Sequence, residues 1–268
     1  MSERVVIVTG AAGAGAGGSG KAIAKKFAKN GDTVVIVDIN KDAGTATEKE
    51  FINAGYKAKF IACDLCEEDQ IKSVIENTVS EFGKIDVLVN CAFANFGDAN
   101  VGDIETAAFD KLIRINLRGH FLMIKYALPH LIKQSGANIV NVSSIAGQVG
   151  ELGSCAYGAA KAGLINLTRN VAAQYGRAGV RCNAVVPGLI LTKETEDNVP
   201  PEIKVFFDFL DKQTLLNRHG NCEDIANAAY FLASDEASFI TAVALNVDGG
   251  IASHNPTYGD IMQLSANA

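Results

Sequence analysis

The chain reads as an α/β protein with a doubly wound parallel sheet of about seven strands and helices on both faces. Three observations predict this. From the first residues onward, short β-branched runs alternate with longer stretches of helical period. The short runs are almost continuously apolar, as strands covered on both faces are. No Pro- or Ser-rich linker divides the 268 residues, so residues 1–250 are expected to form a single domain with 251–268 as a C-terminal extension.

The first strand is read at Arg4 to Val8, followed by a glycine-rich turn and a helix from about Lys21 to Lys29, whose Ile23 and Phe27 share one face. Asn30-Gly31 stops that helix. Thr33 to Val37 gives a second strand, the region from Ala43 to Asn53 a second helix and Lys57 to Ala62 a third strand. Further strands are expected at Ile85 to Val89, Asn138 to Val142, Val180 to Val185 and Ala242 to Val247, with helices between them. Residues 193–217 break the alternation and carry Pro200, Pro201, Phe206, Phe207, Phe209 and Leu210. Such an insertion after a strand's carboxyl end is either a plain surface helix or a cover for a ligand, and we read it as the cover.

Composition narrows the function. Hydrophobic residues make up 48% and charged residues 20%, and 30 acidic against 24 basic side chains leave a formal charge of -6. A broad cationic surface is not expected, so nucleic acid is not an expected partner. No apolar run approaches the ~20 residues that span a bilayer, and Met1 to Gly10 lacks the pattern of a signal peptide. The expectation is a cytoplasmic protein without a membrane partner. Six scattered cysteines then read as free thiols. Cys63 and Cys66 form a C-x-x-C, but no second pair follows and His120, His130, His219 and His254 do not cluster with it, so no metal is expected.

Six glycines between Gly10 and Gly20 lie after a strand and before a helix, where a backbone without Cβ atoms can approach phosphate oxygens. Two motifs compete for them. Gly15 through Lys21 match a nucleoside-triphosphate loop up to the lysine, but Ala22 follows where a hydroxyl would hold Mg²⁺. The other is the turn of a dinucleotide fold, and its companion is Asp38 at the end of strand two. A carboxylate there accepts both ribose hydroxyls of an adenosine. A 2′-phosphate would meet repulsion of about 4 kcal/mol per charge pair at ~4 Å and an effective dielectric of ~20. The cofactor expected is NAD.

Tyr157 and Lys161 are four residues apart on an Ala- and Leu-rich segment, which places them on one helical face. A phenol of pKa about 10 is a poor base at neutral pH; a nearby ammonium and a cationic nicotinamide ring are expected to lower it. Ser144 stands thirteen residues upstream at a strand end, where its hydroxyl can hold a substrate oxygen.

With these residues in place the sequence resembles the short-chain dehydrogenase/reductase family, from about Arg4 to Gly250. The resemblance rests on Thr9-Gly10, Asp64-Leu65, Asn116, Asn141-Val142-Ser143-Ser144, Tyr157-Gly158-Ala159-Ala160-Lys161, Pro187-Gly188-Leu189-Ile190-Leu191-Thr192 and Asn246-Val247-Asp248-Gly249-Gly250. It implies a Rossmann-like fold in which Tyr157 is the acid/base and Lys161 tunes it and grips the nicotinamide ribose. Ser144 then orients the carbonyl, and Asn116 supports a proton relay through water. It further implies cofactor contacts at Gly10, Gly18, Ser19, Gly20, Asp38, Asp64, Leu65, Asn90, Ala92, Pro187, Gly188, Ile190 and Thr192.

Two departures stand out. Eight steps separate Gly10 from Gly18 where the family turn has four, so the loop is four residues longer. Asn90-Cys91-Ala92-Phe93 replaces N-N-A-G, and Phe93 is expected to narrow the nicotinamide side or face substrate. Phe93, Gln148, Glu151, Leu152, Phe206 and Leu210 are the substrate-facing candidates, with Asn95, Phe96, Ile145, Cys155 and Leu189 near them. Their mixture favours a hydroxysteroid or other cyclic alcohol over a sugar, polyol or hydroxyacid. The reaction implied is hydride exchange between NAD(H) and a secondary alcohol or ketone; a catalytically silent NAD-binding scaffold is the alternative of another class. The resemblance also suggests a homotetramer or homodimer built on helices near Thr106 to Lys133 and Ser154 to Gly176. The tail, with Tyr258, Ile261, Met262 and Leu264, is either disordered or docked.

Overall fold

The computed structural model describes residues 3–13, 18–191, 201–216, 218–255 and 257–266, with only the backbone of 201–203, 206 and 264–266. Among these, the strands β1 (Val5–Thr9), β2 (Thr33–Asp38), β3 (Ala58–Ala62), β4 (Val87–Asn90), β5 (Asn138–Val142), β6 (Arg181–Pro187) and β7 (Ala244–Val247) form one parallel sheet. Its spatial order is β3-β2-β1-β4-β5-β6-β7. Val8 lies opposite both Ile36 of β2 and Val89 of β4. The chain winds one way from β1 to β3 and the other way from β4 onward. The crevice therefore opens at the carboxyl ends of β1 and β4, where open sheets of this type bind ligands.

Helices α1 (Gly18–Lys29), α2 (Lys41–Asn53), α3 (Glu68–Phe82), α4 (Thr106–Ile113), α5 (His120–Leu131), α6 (Cys155–Tyr175), α7 (Pro201–Lys212), α8 (Cys222–Leu232) and α9 (Tyr258–Ala266) accompany it. Both faces are covered, which is why β1, β2 and β4 are apolar at nearly every position. Val5, Ile7, Val35 and Val37 pack with Ile71 and Val74 of α3 and Met123 and Ala127 of α5. Their alternates Val6, Val8, Val34 and Ile36 pack with Ile23 and Phe27 of α1 and Ile225 and Ala229 of α8. Each of these buried Val, Ile, Met and Phe side chains contributes about 1.5–3 kcal/mol. No described helix is long and apolar enough to cross a membrane. All six cysteines are free, and Cys63 and Cys66 are buried.

The amino ends of the strands are closed by charged groups. Arg4 pairs with Asp32 at 2.7 Å and donates to the Ala233 carbonyl, while Asp86 accepts from the Val5 N–H at 2.7 Å. Arg181 donates to the carbonyls of Leu232, Ser234 and Ile240. Of the apolar insertion, the described part forms α7. The tail is helical as α9 and docks on the end of α7, where the Gly259 N–H donates to the Gln213 side chain at 3.3 Å.

Among the differences from the sequence expectation, three have a visible physical cause or lie beyond periodicity. Helix α1 starts at Gly18 rather than Lys21, because a backbone contact outweighs the ~1 kcal/mol that each glycine costs a helix. A Cβ on Gly20 would stand 2.1 Å from the Gly10 carbonyl oxygen. Strand β7 begins at Ala244 rather than Ala242, because Ala242 sits at φ +64° and kinks the chain there. Between α4 and α5 the helix widens into a π turn over Arg114–Gly119, which periodicity does not reveal.

The Gly20 contact leads to the first prediction. Gly20→Ala forces the start of α1 off β1, and overpacking of this kind costs about 1–3 kcal/mol. A melting temperature lower by roughly 2–4 °C per kcal/mol is expected. An unchanged melting curve would show that the contact is not limiting.

Candidate active site

The long glycine turn leaves β1 through Gly10, at φ +69°, and a Cβ there would lie 2.7 Å from Ala92 Cα. The Thr9 hydroxyl oxygen accepts from the N–H groups of Cys91 and Ala92 at 3.0 and 3.1 Å, tying the ends of β1 and β4 together. The described start of the loop is anchored on the strand-two side. The Ala12 N–H donates to Asp38 Oδ2 at 3.0 Å, and Thr47 of α2 donates to the Ala12 carbonyl at 2.8 Å. Lys21, which in a triphosphate loop would reach for phosphate, instead pairs its Nζ with Glu50 at 2.6 Å.

A cavity of about 490 Å³ opens above these strand ends, and Gly10, Ser19, Asp38, Asp64, Leu65 and Ala92 line it together. Its glycine-walled cradle and the carboxylate at its far end fit a dinucleotide. Asp38 Oδ1 accepts from the Asn40 N–H at 3.0 Å, which fixes the carboxylate while lone pairs on both oxygens remain. Asn90 lies beneath, fully buried, donating to Asn141 Oδ1 at 2.9 Å. Gly18 opens α1, and Pro187 ends β6. Gly188 packs on Asp248, and Ile190 bridges to Gly220. Thr192 lies outside the described residues.

Tyr157 and Lys161 stand on one face of α6. The Lys161 Nζ is 5.5 Å from the Tyr157 ring centroid and donates to the Val142 carbonyl at 2.9 Å. Lys161 is buried, and desolvation brings its pKa down to about 8. The Ser144 hydroxyl hydrogen-bonds the phenol and accepts from the Ala146 N–H at 3.2 Å. The expected lowering of the Tyr157 pKa is not present in the protein alone. Burial pushes it up to about 12, with the Ser144 hydrogen bond pulling down and the charge of Glu151 pushing further up.

Asn116 sits in the π turn, fully buried, and its side chain is committed to a loop. It donates to the Ala94 carbonyl at 2.7 Å and the Leu112 carbonyl at 3.0 Å and accepts from the Ala94 N–H at 3.0 Å. Next to it His120 is buried and neutral, its pKa brought down to about 3 by burial first and Lys161 second.

The substrate candidates divide. The Phe93 ring meets the Tyr157 ring edge to face at 6.3 Å and also lines the cavity. Leu152 is exposed, and Glu151 nearby is held above the ordinary carboxylate range by desolvation. Gln148 donates instead to Asn246 at 2.9 Å. Leu210 is half-buried on α7, and the Phe206 side chain lies outside the described residues. Asp98 was passed over in the sequence; its carboxylate accepts from the backbone at the start of α6, and no local motif marks it.

Comparison with known proteins follows this geometry. The family model described as enoyl-(acyl carrier protein) reductase matches residues 13–252. The chain is 36% identical over 264 residues to a 7α-hydroxysteroid dehydrogenase of Bacteroides fragilis, covering 96% of this chain and 97% of that one. It is 38% identical over 250 residues to a cis-4-hydroxycyclohexanecarboxylate dehydrogenase of Sinomonas cyclohexanicum, covering 93% and 97%. It is 37% identical over 251 residues to a 3-oxoacyl-acyl-carrier-protein reductase of Thermotoga maritima, covering 94% and 98%. A crystal structure described as a short-chain dehydrogenase/reductase from Burkholderia xenovorans superposes with a TM-score of 0.87 at 34% identity, covering 94% of this chain and 97% of that one.

Buried Lys161 gives a pH-dependent stability with a definite sign. Its pKa falls from 10.5 unfolded to about 8 folded, so below pH 8 both states are protonated and the folded state bears the full cost of the buried charge. Between pH 8 and 10.5 the folded protein releases the proton first, and the cost shrinks as pH rises. Lys161→Met removes the charge at similar length. It is expected to melt above the wild type at pH 7, by roughly 2–4 °C per kcal/mol relieved, with the gap closing toward pH 10. A gap that stays flat in calorimetric scans across that range would refute the assignment.

Proposed function

The chain belongs to the short-chain dehydrogenase/reductase family, oxidoreductases that use a nicotinamide cofactor, and from this premise we propose that it interconverts a secondary alcohol on a cyclic skeleton and its ketone with NAD(H). The observation that carries the reading is the convergence of Tyr157, Ser144 and Lys161 beside the glycine-walled cavity. When bound, the nicotinamide supplies the hydride acceptor or donor. Gly10, Ser19, Asp38, Asp64, Leu65 and Ala92 would hold the dinucleotide.

Tyr157 and Ser144 present two hydroxyls to one substrate oxygen, which orients it and stabilises charge developing there. In reduction the phenol gives its proton to the carbonyl oxygen; held up at about 12, it is fully protonated at neutral pH and ready to do so. In oxidation the phenol must first release its own proton to solvent, the phenolate then takes the alcohol proton, and the Lys161 charge beside the ring favours that anion. Lys161 keeps that charge below pH 8. Asn116 fixes the loop behind the site through Ala94.

Two features favour a cyclic, largely apolar substrate. Phe93, Phe96 and Leu152 are exposed around the site, forming an apolar rim. Two relatives are named as dehydrogenases of a hydroxysteroid and of a hydroxycyclohexane ring. For assembly, an apolar groove along α5 and α6, with Phe121 and Ile132 exposed, supports the expected homodimer or homotetramer.

Tyr157→Phe is expected to lower turnover at least a hundredfold while NADH still binds in a fluorescence titration, because only the acid/base hydroxyl is lost. Retention of a tenth of the activity would refute the role. Wild-type protein that binds NADH normally yet turns over no secondary alcohol would leave the silent-scaffold reading standing.

For the cofactor, kcat/KM with NAD⁺ is expected to exceed that with NADP⁺, and Asp38→Ala is expected to narrow the ratio at least tenfold by removing an acceptor and a repulsion. Wild-type preference for NADP⁺ would place Asp38 away from the adenosine ribose.

A further inference from the structure

We propose that Asp98 is a positioning residue for the reaction: from the loop after β4 it caps the N-terminus of α6 and fixes the placement of Tyr157. The inference rests on the reading of Tyr157 as the acid/base.

The first N–H groups of a helix have no partner inside it. At the start of α6 the residue in the cap place, Ser154, makes no side-chain capping bond. The three leading donors turn instead to a segment more than fifty residues earlier in the chain. The Cys155 N–H donates to the Ala99 carbonyl at 3.3 Å, the Ala156 N–H to Asp98 Oδ1 at 3.0 Å and the Tyr157 N–H to Asp98 Oδ2 at 2.8 Å. Asp98 Oδ1 also accepts from the Ala99 N–H at 3.0 Å, and Asn100 Oδ1 accepts from the Gly153 N–H at 3.0 Å. One carboxylate thus serves both the second and third residues of the helix, in charge-assisted bonds at its positive end.

Asp98 bonds the backbone of the tyrosine itself, so a displaced cap displaces the phenol directly. The same loop grips Tyr157 a second way, through the edge-to-face contact of Phe93. It is in turn held by Asn116, whose side chain both donates to and accepts from Ala94. The wall facing the substrate, the π turn and the catalytic helix are therefore bonded into one unit, with Asp98 at the joint. Misplacement of a reacting group by about 1 Å can cost on the order of a hundredfold in rate.

The charge on Asp98 would by itself disfavour a phenolate, so a role in placement and a role in charge make opposite demands on the conservative variant. Asp98→Asn removes the charge and keeps one of the two acceptor oxygens, its amide nitrogen falling opposite the other backbone N–H; Asp98→Ala removes both oxygens. In the full chain labelled with ¹³C at tyrosine Cζ, the Tyr157 resonance, identified by its loss in Tyr157→Phe, is followed from pH 8 to 12.5. Lys161, Glu151 and Cys91, the other titratable groups facing the phenol, are unchanged in every variant.

Wild type is expected to ionise well above free tyrosine, Asp98→Ala toward the ordinary value of about 10 as the ring loosens into water, and Asp98→Asn, with half of the cap kept, between the two and nearer wild type. With NAD⁺ and a 7α-hydroxysteroid, kcat is expected to fall about tenfold or more in Asp98→Ala and to recover to within about threefold in Asp98→Asn, with the NADH dissociation constant within about twofold throughout. If Asp98→Ala does not fold, Asp98→Ser, which keeps one short acceptor, takes its place with an intermediate loss expected. The proposal is overturned if Asp98→Asn is as impaired as the alanine or serine variant, or if neither of those changes the phenol titration or kcat. An active Tyr157→Phe would instead overturn the acid/base reading, while the resonance titration would still test the cap.

Discussion

The site depends on an ammonium taken out of water and given a backbone carbonyl as its hydrogen-bond acceptor. Lys161 is tolerated in that position because it is held from several sides. Its own carbonyl accepts from the Ser143 hydroxyl at 2.9 Å, and its Nζ donates to Val142 on the same strand end. The turn at Ile145–Gly147 packs against its backbone so closely that a Cβ on Gly147 would come within 2.7 Å of the Lys161 carbonyl carbon. On the other side Gly163 lets Leu117 of the π turn approach to within 2.9 Å of where its Cβ would be. Helix α6 is thereby locked to β5 and to the π turn, and the tyrosine one turn before the lysine has little freedom left. A buried, unpaired charge is a poor way to stabilise a fold, and its presence here marks a place where function overrides stability.

Much of the fold was legible because burial on two faces leaves a plain signal. Seven apolar runs became seven strands, one of them, Asn138–Val142, with the same ends. The Tyr157–Lys161 pair was legible because helical geometry alone brings residues four apart together. The start of α1 was not, because propensity counts each glycine as a cost, whereas what decides it is the backbone of Gly10 packed against Gly20, a contact across the turn. The π turn at Arg114–Gly119 was hidden for a related reason. It shifts the helix by a residue without changing composition, and what fixes it is the bond between Asn116 and a loop twenty-two residues earlier.

The sign of the Tyr157 shift was also beyond the sequence. Spacing shows that an ammonium is near; it does not show how much water is excluded, and here exclusion wins. Lysine and tyrosine suffer the same desolvation in opposite directions, so both move toward their neutral forms, one down to about 8 and the other up to about 12. The protein alone is thus set for a neutral phenol. A positive charge arriving at the cavity would reverse the balance, which ties the basicity of the phenol to occupancy of the neighbouring site.

The two ends of the sheet show how this is afforded. At the amino ends of the strands, Arg4, Asp32, Asp86 and Arg181 bond backbone groups and one another, although the buried Asn138 Oδ1 at the start of β5 lacks a partner there. At the carboxyl ends the Asn90 Oδ1 is buried without a hydrogen-bond partner, both His120 ring nitrogens lack one within good geometry, and Lys161 is desolvated. Each costs on the order of 1–3 kcal/mol. These costs gather where β4, β5 and α6 meet the cavity. A group satisfied wholly within the protein has nothing left to offer a ligand, so the same incompleteness that weakens this end of the sheet equips it for chemistry.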